Sequence, residues 1–202
     1  MHKNKDIYTM QSYKITEELL SIAQQRLNIT PIFDGSHRGM DANQVGVIGE
    51  LIVEQWLEEN AIYFKDEREL TTHDYSLKNS KTFDVKTKDR TVRPQSNYDC
   101  SVPMYNHGHQ RPDYYIFVSL ERDKSNKTSD LSRFHTAHIV GGINILQLDK
   151  RGTIWKAGQT DPDNGTTFWT DCINVSVKQL ANPLEVLDKL RLDSPAVMSP
   201  TL

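Results

Sequence analysis

The sequence predicts an α/β domain with a mixed central sheet flanked by helices. Three observations carry that expectation. Two segments of helical periodicity open the chain, and the period changes to that of strands near residue 61. A near-continuous apolar strand and a closing helix then complete a helix, strands, crossover, strand, helix order.

Taken in order, residues 16–27 read as a first helix, with Thr16 as cap and Leu19, Leu20, Ile22, Ala23 and Leu27 forming an apolar face. Residues 28–40 are rich in Pro, Gly, Ser and Asp and read as loop. A second helix is expected over 42–59, with Asp41 as N-cap and Gln44 completing a capping box. Val45, Ile48, Ile52, Val53 and Trp56 set its core face, and Glu58-Glu59-Asn60 mark its exit. Strands follow at 61–64, 74–77 and 82–87, the last two joined through Lys78-Asn79-Ser80 as a hairpin. Residues 95–112 are broken by Pro, Gly and Asn, with a short helix starting at Pro103. Residues 113–120 form the clearest strand, apolar enough for an interior place. A polar loop at 124–132, strands at 137–148 and 152–156, and a helix at 177–190 around Leu180, Leu184, Leu187 and Leu190 close the domain. The organisation expected is a helical N-terminal extension (1–40), a main domain (41–192) and a flexible tail (193–202).

Composition sets the class. The chain has 202 residues, is 37% hydrophobic and 25% charged, and is long enough to bury a core without staples. No apolar run approaches the roughly 18 residues of a membrane span, and residues 1–14 carry no apolar signal core. No membrane association and a cytoplasmic setting are expected, with Cys100 and Cys172 as reduced thiols. The net charge of -3 gives no bulk argument for nucleic acid. Between Lys78 and Arg93, however, Lys78, Lys81, Lys86, Lys88, Arg90 and Arg93 stand against Asp84 and Asp89 alone, a local basic stripe that can contact phosphates.

The chemistry is expected from Glu50, Asp74, Asp84 and Lys86. Asp84-Val85-Lys86 puts an acid and a base two apart on a strand, on one face. Asp74 lies across the hairpin from Asp84, and Glu50 lies on the second helix one turn after Gly46. Carboxylates suit Mg²⁺, a hard ion that prefers oxygen and keeps several waters. A lysine beside it can orient or deprotonate the attacking water and neutralise developing charge.

With helix Gly46-Val47-Ile48-Gly49-Glu50, Asp74, strand Phe83-Asp84-Val85-Lys86-Thr87-Lys88, and Gln110 before Asp113-Tyr114-Tyr115-Ile116-Phe117-Val118, the chain resembles the PD-(D/E)xK nuclease superfamily, the restriction-endonuclease-like fold. The match covers about residues 41–120, and His73 stands where the literal motif has proline. The resemblance implies Asp74, Asp84 and the Val85 backbone carbonyl as metal ligands, and Glu50 as an outer or second-metal ligand. It further implies Lys86 as the water-positioning base and Gln110 as an additional site residue. The expected function is a Mg²⁺-dependent DNA endonuclease, with Mn²⁺ able to substitute and the stripe Lys78, Lys81, Lys88, Arg90 and Arg93 binding DNA. The resemblance, rather than the residues, points to DNA. The alternatives are a structure-selective nuclease such as a Holliday-junction resolvase, favoured by a homodimer, or a catalytically silent nucleic-acid-binding module.

His107-Gly108-His109 and His135-x-x-His138 raise a zinc reading. Trp155, Phe168 and Trp169 offer rings on which unpaired bases could stack.

Overall fold

The computed structural model describes residues 9–29, 40–104 and 110–192, which fold around two sheets. The six-stranded sheet is built from β1 (Gln11–Lys14), β2 (Phe64–Asp66), β3 (Tyr75–Leu77), β4 (Thr82–Arg90), β6 (Tyr114–Arg122) and β7 (Phe134–Asn144), in the order β1-β7-β6-β4-β3-β2. The smaller, three-stranded sheet is β5 (Asp99–Pro103), β9 (Cys172–Ser176) and β8 (Thr153–Trp155). Helices α1 (Glu17–Ile29), α2 (Met40–Glu59), α3 (Ile145–Arg151) and α4 (Pro183–Leu192) complete the described residues. The mixed α/β expectation therefore holds: β4 and β6 are parallel and every other pairing in the two sheets is antiparallel.

Strand β6 explains the layering. Its Ile116, Val118 and Leu120 join α1, α2 and α4 in one core, while Tyr115 and Phe117 join β5, β9 and α3 in a second. Alternation along a strand buried on both faces gives the unbroken apolar run seen in the sequence. Leu19 and Ala23 of α1 lie in the same core as α2, and β1 pairs along β7, so residues 11–29 are part of the main body rather than an extension to it. Among the described residues no helix is long and apolar enough to cross a membrane.

Several boundaries move for local reasons. Thr16 Oγ1 accepts the Leu19 N–H (3.2 Å), the cap expected of it. Helix α2 begins at Met40, which places Asp41 inside the first turn instead of at the cap. The exit of α2 is a Schellman turn: Ala61 takes φ 55°, Ile62 N–H reaches Leu57 O (2.9 Å) and Ala61 N–H reaches Glu58 O (3.0 Å). That turn consumes residues 61–63, so β2 starts only at Phe64. The segment 145–148, expected as strand, is helix because the Asn144 side chain caps it through the Gln147 N–H (2.8 Å). The expected helix at 177–190 is instead a single 3-10 turn at Val177–Gln179 followed by α4. Asn182 and Glu185 form a reciprocal capping box there, with Pro183 at the first helical position. Val186, Leu187 and Leu190 are buried on α4, whereas Leu184 faces solvent. Pro103 ends strand β5 and does not start a helix. The proposed tail from residue 193 lies outside the described residues.

Helix α2 lies so close to β4 that a Cβ on Gly49 would sit 1.9 Å from Thr87 Oγ1. Gly46, by contrast, would meet only Glu50 Oε1, at an ordinary 3.7 Å. Gly49→Ala should therefore force the helix off the strand and destabilise by about 1–3 kcal/mol, the usual cost of overpacking. Thermal unfolding should show a depressed Tm, partly restored by Thr87→Ala in the same chain; a Tm equal to wild type would contradict the close approach.

Candidate active site

The site begins where a β-ladder stops. Strand β3 pairs with β4 only at Tyr75↔Phe83 and Ser76↔Thr82. One position further, where Asp74 comes opposite Asp84, side chains replace the ladder. The Asp74 N–H donates to Asp84 Oδ1 (3.1 Å), and the Val85 N–H donates to Asp74 Oδ2 (2.8 Å). Val85 thus turns its N–H toward Asp74 and away from β6, and in an extended strand the carbonyl of the same residue points to that side as well. The start of β4 is held by Asp113, whose Oδ2 accepts the Thr82 N–H (3.0 Å) and whose Oδ1 pairs with Lys81 Nζ (2.9 Å).

Asp84 is fully buried. Its Oδ2 lies 2.9 Å from Lys86 Nζ as an ion pair and has no other polar partner. Lys86 extends along the same face, its Nζ 6.0 Å from the centre of the Tyr115 ring. Burial, and next the charge of Asp84, push the Asp74 carboxyl up to about 8. For Lys86, burial alone would lower the pKa, yet the charges of Asp84 and Asp74 outweigh it and raise the value above the usual lysine range. In this arrangement Lys86 is an ammonium. The pairing holds it beside Asp84, at the place expected of the water-positioning lysine.

Glu50 approaches from α2. Its charge contributes to raising Asp74, but its Oε2 is paired with Arg68 Nη1 at 2.6 Å. Burial raises the Glu50 pKa, with Arg68 opposing. Asp74, Asp84 and Lys86 are therefore brought together, while Glu50 stands beside them in an ion pair. Arg68 was not legible in the sequence: it sits in the charged run Lys65-Asp66-Glu67-Arg68-Glu69, which reads as solvated surface. His73 has its Nε2 2.9 Å from Glu67 Oε2 and its Nδ1 2.9 Å from Thr72 Oγ1, which fixes the approach to Asp74. Gln110 reaches the site through its backbone, whose carbonyl accepts the Tyr115 hydroxyl at 3.5 Å.

Among the described residues no group of three or more His, Cys, Asp or Glu side chains is gathered to hold a metal ion. Two carboxylates are enough for Mg²⁺, which commonly takes one or two from the protein and fills its shell with waters and phosphate oxygens. The fit rests on Asp84 Oδ2, buried with only the Lys86 ammonium beside it, next to a second acid whose charge is disfavoured. Each carboxylate has one oxygen anchored by a backbone N–H, which fixes the direction of the other.

The basic stripe does not form one exposed face. Lys78 is exposed over the Tyr63 ring (5.2 Å), Lys81 pairs with Asp113, and Arg93 is exposed. Lys88 and Arg90 turn inward toward the small sheet. Arg90 Nη2 donates to Asp99 O (2.8 Å), its Nε to Ser119 Oγ (3.3 Å), and its guanidinium lies 4.8 Å from the Tyr98 ring centre. Burial, and then the neighbouring Arg90, hold Lys88 below the usual lysine range.

The zinc reading fails for the pair that is described. His138 is buried with Nδ1 2.8 Å from Ser12 Oγ and Nε2 2.8 Å from Glu121 Oε2, while His135 is exposed beside Thr136 Oγ1. Three residues apart on a strand, they project to opposite faces. His107 and His109 lie outside the described residues. Trp155 and Phe168 stack on each other (4.9 Å), leaving Trp169 as the exposed ring. Cys100 and Cys172 are both buried and unpaired, and burial pushes the Cys100 thiol up to about 11.

No protein-family model matches this chain, and no curated protein matches it.

Asp74 supplies a test through pH. Its folded pKa of about 8 lies above the ordinary 3.8, so between those values the folded chain binds a proton that the unfolded chain has released. Stability from this group is then full below about pH 4 and is lost as pH rises through about 8. In metal-free buffer, Asp74→Asn should melt close to wild type near pH 4.5 and above it at pH 8, by at least the ~2–4 °C that about 1 kcal/mol produces in a domain of this size. A Tm difference independent of pH would show that Asp74 is already ionised.

Proposed function

We propose that this chain is a divalent-metal-dependent nuclease that hydrolyses DNA phosphodiester bonds at Asp74, Asp84 and Lys86, on a restriction-endonuclease-like version of the α/β fold. The observation that carries the reading is the clasp at the end of the β3–β4 ladder. Two aspartates, each anchored by one backbone N–H, meet a lysine at 2.9 Å on the strand that bears one of them.

Asp74 and Asp84 are the residues that would hold Mg²⁺, joined by the carbonyl of Val85. When bound, Mg²⁺ supplies Lewis-acid stabilisation of a phosphate oxygen and makes a water more acidic. Lys86, an ammonium kept in place by Asp84, offsets charge developing on the phosphate and orients the attacking water. Glu50, released from Arg68, could accept a hydrogen bond from that water; paired with Arg68 it holds the β2–β3 connection against α2. Tyr115 closes the floor under Lys86 and restricts solvent there.

The direct test is cleavage of supercoiled plasmid, linear duplex, single-stranded and branched DNA by the purified chain in Mg²⁺, Mn²⁺ or EDTA. Cleavage is expected with either metal and none in EDTA. Asp84→Ala should lose activity by about 10³-fold or more and Lys86→Ala by about 10²–10³-fold, the scale of removing a preorganised charge-stabilising group. Calorimetry should show Mn²⁺ binding lost in Asp84→Ala and retained in Lys86→Ala. Wild-type cutting by Asp84→Ala would place the centre elsewhere.

A further inference from the structure

Beyond the metal-binding pair, strand β4 continues as a row of side chains on one face: Asp84, Lys86, Lys88, Arg90. We propose that Lys88 is an anion subsite between the two sheets that takes the backbone phosphate next to the one being hydrolysed. The inference rests on the nuclease reading and adds to it a second point of contact with a polynucleotide strand.

The argument starts from the partners that each cation has. Lys86 is paired with Asp84, and Arg90 is tied to Asp99 O and Ser119 Oγ and lies over Tyr98. Lys88, between them, makes no hydrogen bond or ion pair among the described residues. Asp99 on β5, whose charge favours the ammonium, makes no pair with it and turns its Oδ2 toward Asn174 Nδ2 (3.5 Å). A half-buried ammonium without a partner is costly to keep. Its retention beside a phosphodiester-cleaving centre is accounted for if the substrate brings the counter-charge.

Spacing supports the same assignment. Side chains two apart on a strand share a face and are separated by about 6–7 Å. That is close to the interval between successive phosphates of an extended nucleic-acid strand. Past Lys88 the row opens into a hollow of about 450 Å³ lined by Asp89, Arg90, Thr91, Val92, Tyr98 and Arg122. Arg90 and Tyr98 at that end continue a path along β4 on which a strand could lie, while Arg122 is paired with Asp89 (2.8 Å). The ligand chemistry is thus a phosphodiester chain and not a single free phosphate, because the subsite has value only when the neighbouring phosphate occupies the Asp84–Lys86 centre.

The test uses the full chain and Lys88→Gln, which keeps the stem and removes the charge, with Lys14→Gln on the edge strand β1 as an exposed-lysine control. Fluorescence anisotropy in EDTA follows binding of labelled single-stranded and duplex oligonucleotides over a range of salt. Lys88→Gln should flatten log affinity against log salt by about 0.7 on single strands and 0.9 on duplex, one phosphate contact. A second measurement maps the wild-type cut site, then places one uncharged methylphosphonate at each neighbouring position. In wild type, one position adjacent to the cut should lower kcat/KM by about ten-fold or more; in Lys88→Gln that position should carry no further penalty. A merely structural role for Lys88 would change the melting temperature without moving the methylphosphonate profile. If Lys88→Gln cuts with an unchanged salt slope and profile, this subsite is wrong and the nuclease reading stands. If the wild type neither binds nor cuts any of the oligonucleotides, both are wrong.

Discussion

Two aspartates hold each other at the point where β3 leaves β4, and the rest of the site takes its position from that clasp. Strand β3 is only three residues long, so its ladder alone would fix Asp74 poorly. The reciprocal bonds, Asp74 N–H to Asp84 and Val85 N–H to Asp74, extend the register by one position using carboxylates in place of carbonyls. A backbone N–H donated to each carboxyl offsets part of the cost of bringing two acids out of water. Lys86 supplies the compensating charge from the same strand, so the cluster is largely closed within one hairpin.

The clasp needs a rigid backing, and the helix layer provides it. Arg26 of α1 makes a two-pronged pair with Glu54 of α2 (2.8 and 2.9 Å), and the Tyr75 hydroxyl donates to the same glutamate (2.5 Å). One turn earlier on α2, Glu50 holds Arg68, which also pairs with Asp66 of β2 and lies over the Tyr75 ring. Two acids on one helix face thus fix β3 and the connection before it. With Gly49 in direct contact with Thr87, α2 is held against β4 from end to end of the site. A helix pressed this closely cannot shift without moving the strand that carries Asp84 and Lys86.

What the sequence made legible follows from range. Periodicity and caps are local, and they located α1, α2, the β3–β4 hairpin and β6, as well as Asp74 facing Asp84. The strands it missed, β1, β5 and β9, are short and polar or interrupted, and they are strands because of distant partners: β1 lies along β7, and β5 pairs with β9. The 145–148 segment was apolar enough to read as strand, and one asparagine cap made it helix. In the site, residue type and spacing gave Asp84 and Lys86 directly, because alternation puts them on one face. They could not reveal that Glu50 would be claimed by Arg68, since that pair joins a helix to a charged loop eighteen residues on. Nor could they show which lysines of the stripe point outward. Lys78 and Lys88 look alike in sequence, and only the presence of the second sheet over β4 separates them.

That second sheet also changes what the charge pattern means. A basic stripe on an exposed strand would be a sequence-tolerant phosphate surface, and a net charge of -3 would work against it at long range. Folded between two layers, the same residues form a graded row instead: acid at Asp84, a neutralised lysine at Lys86, then Lys88 without a partner and Arg90 tied to the protein. On the proposed nuclease function, each charge in a partly dehydrated cleft acts more strongly than it would in water, so a few cations on one strand face would hold a phosphodiester chain despite the net charge of -3.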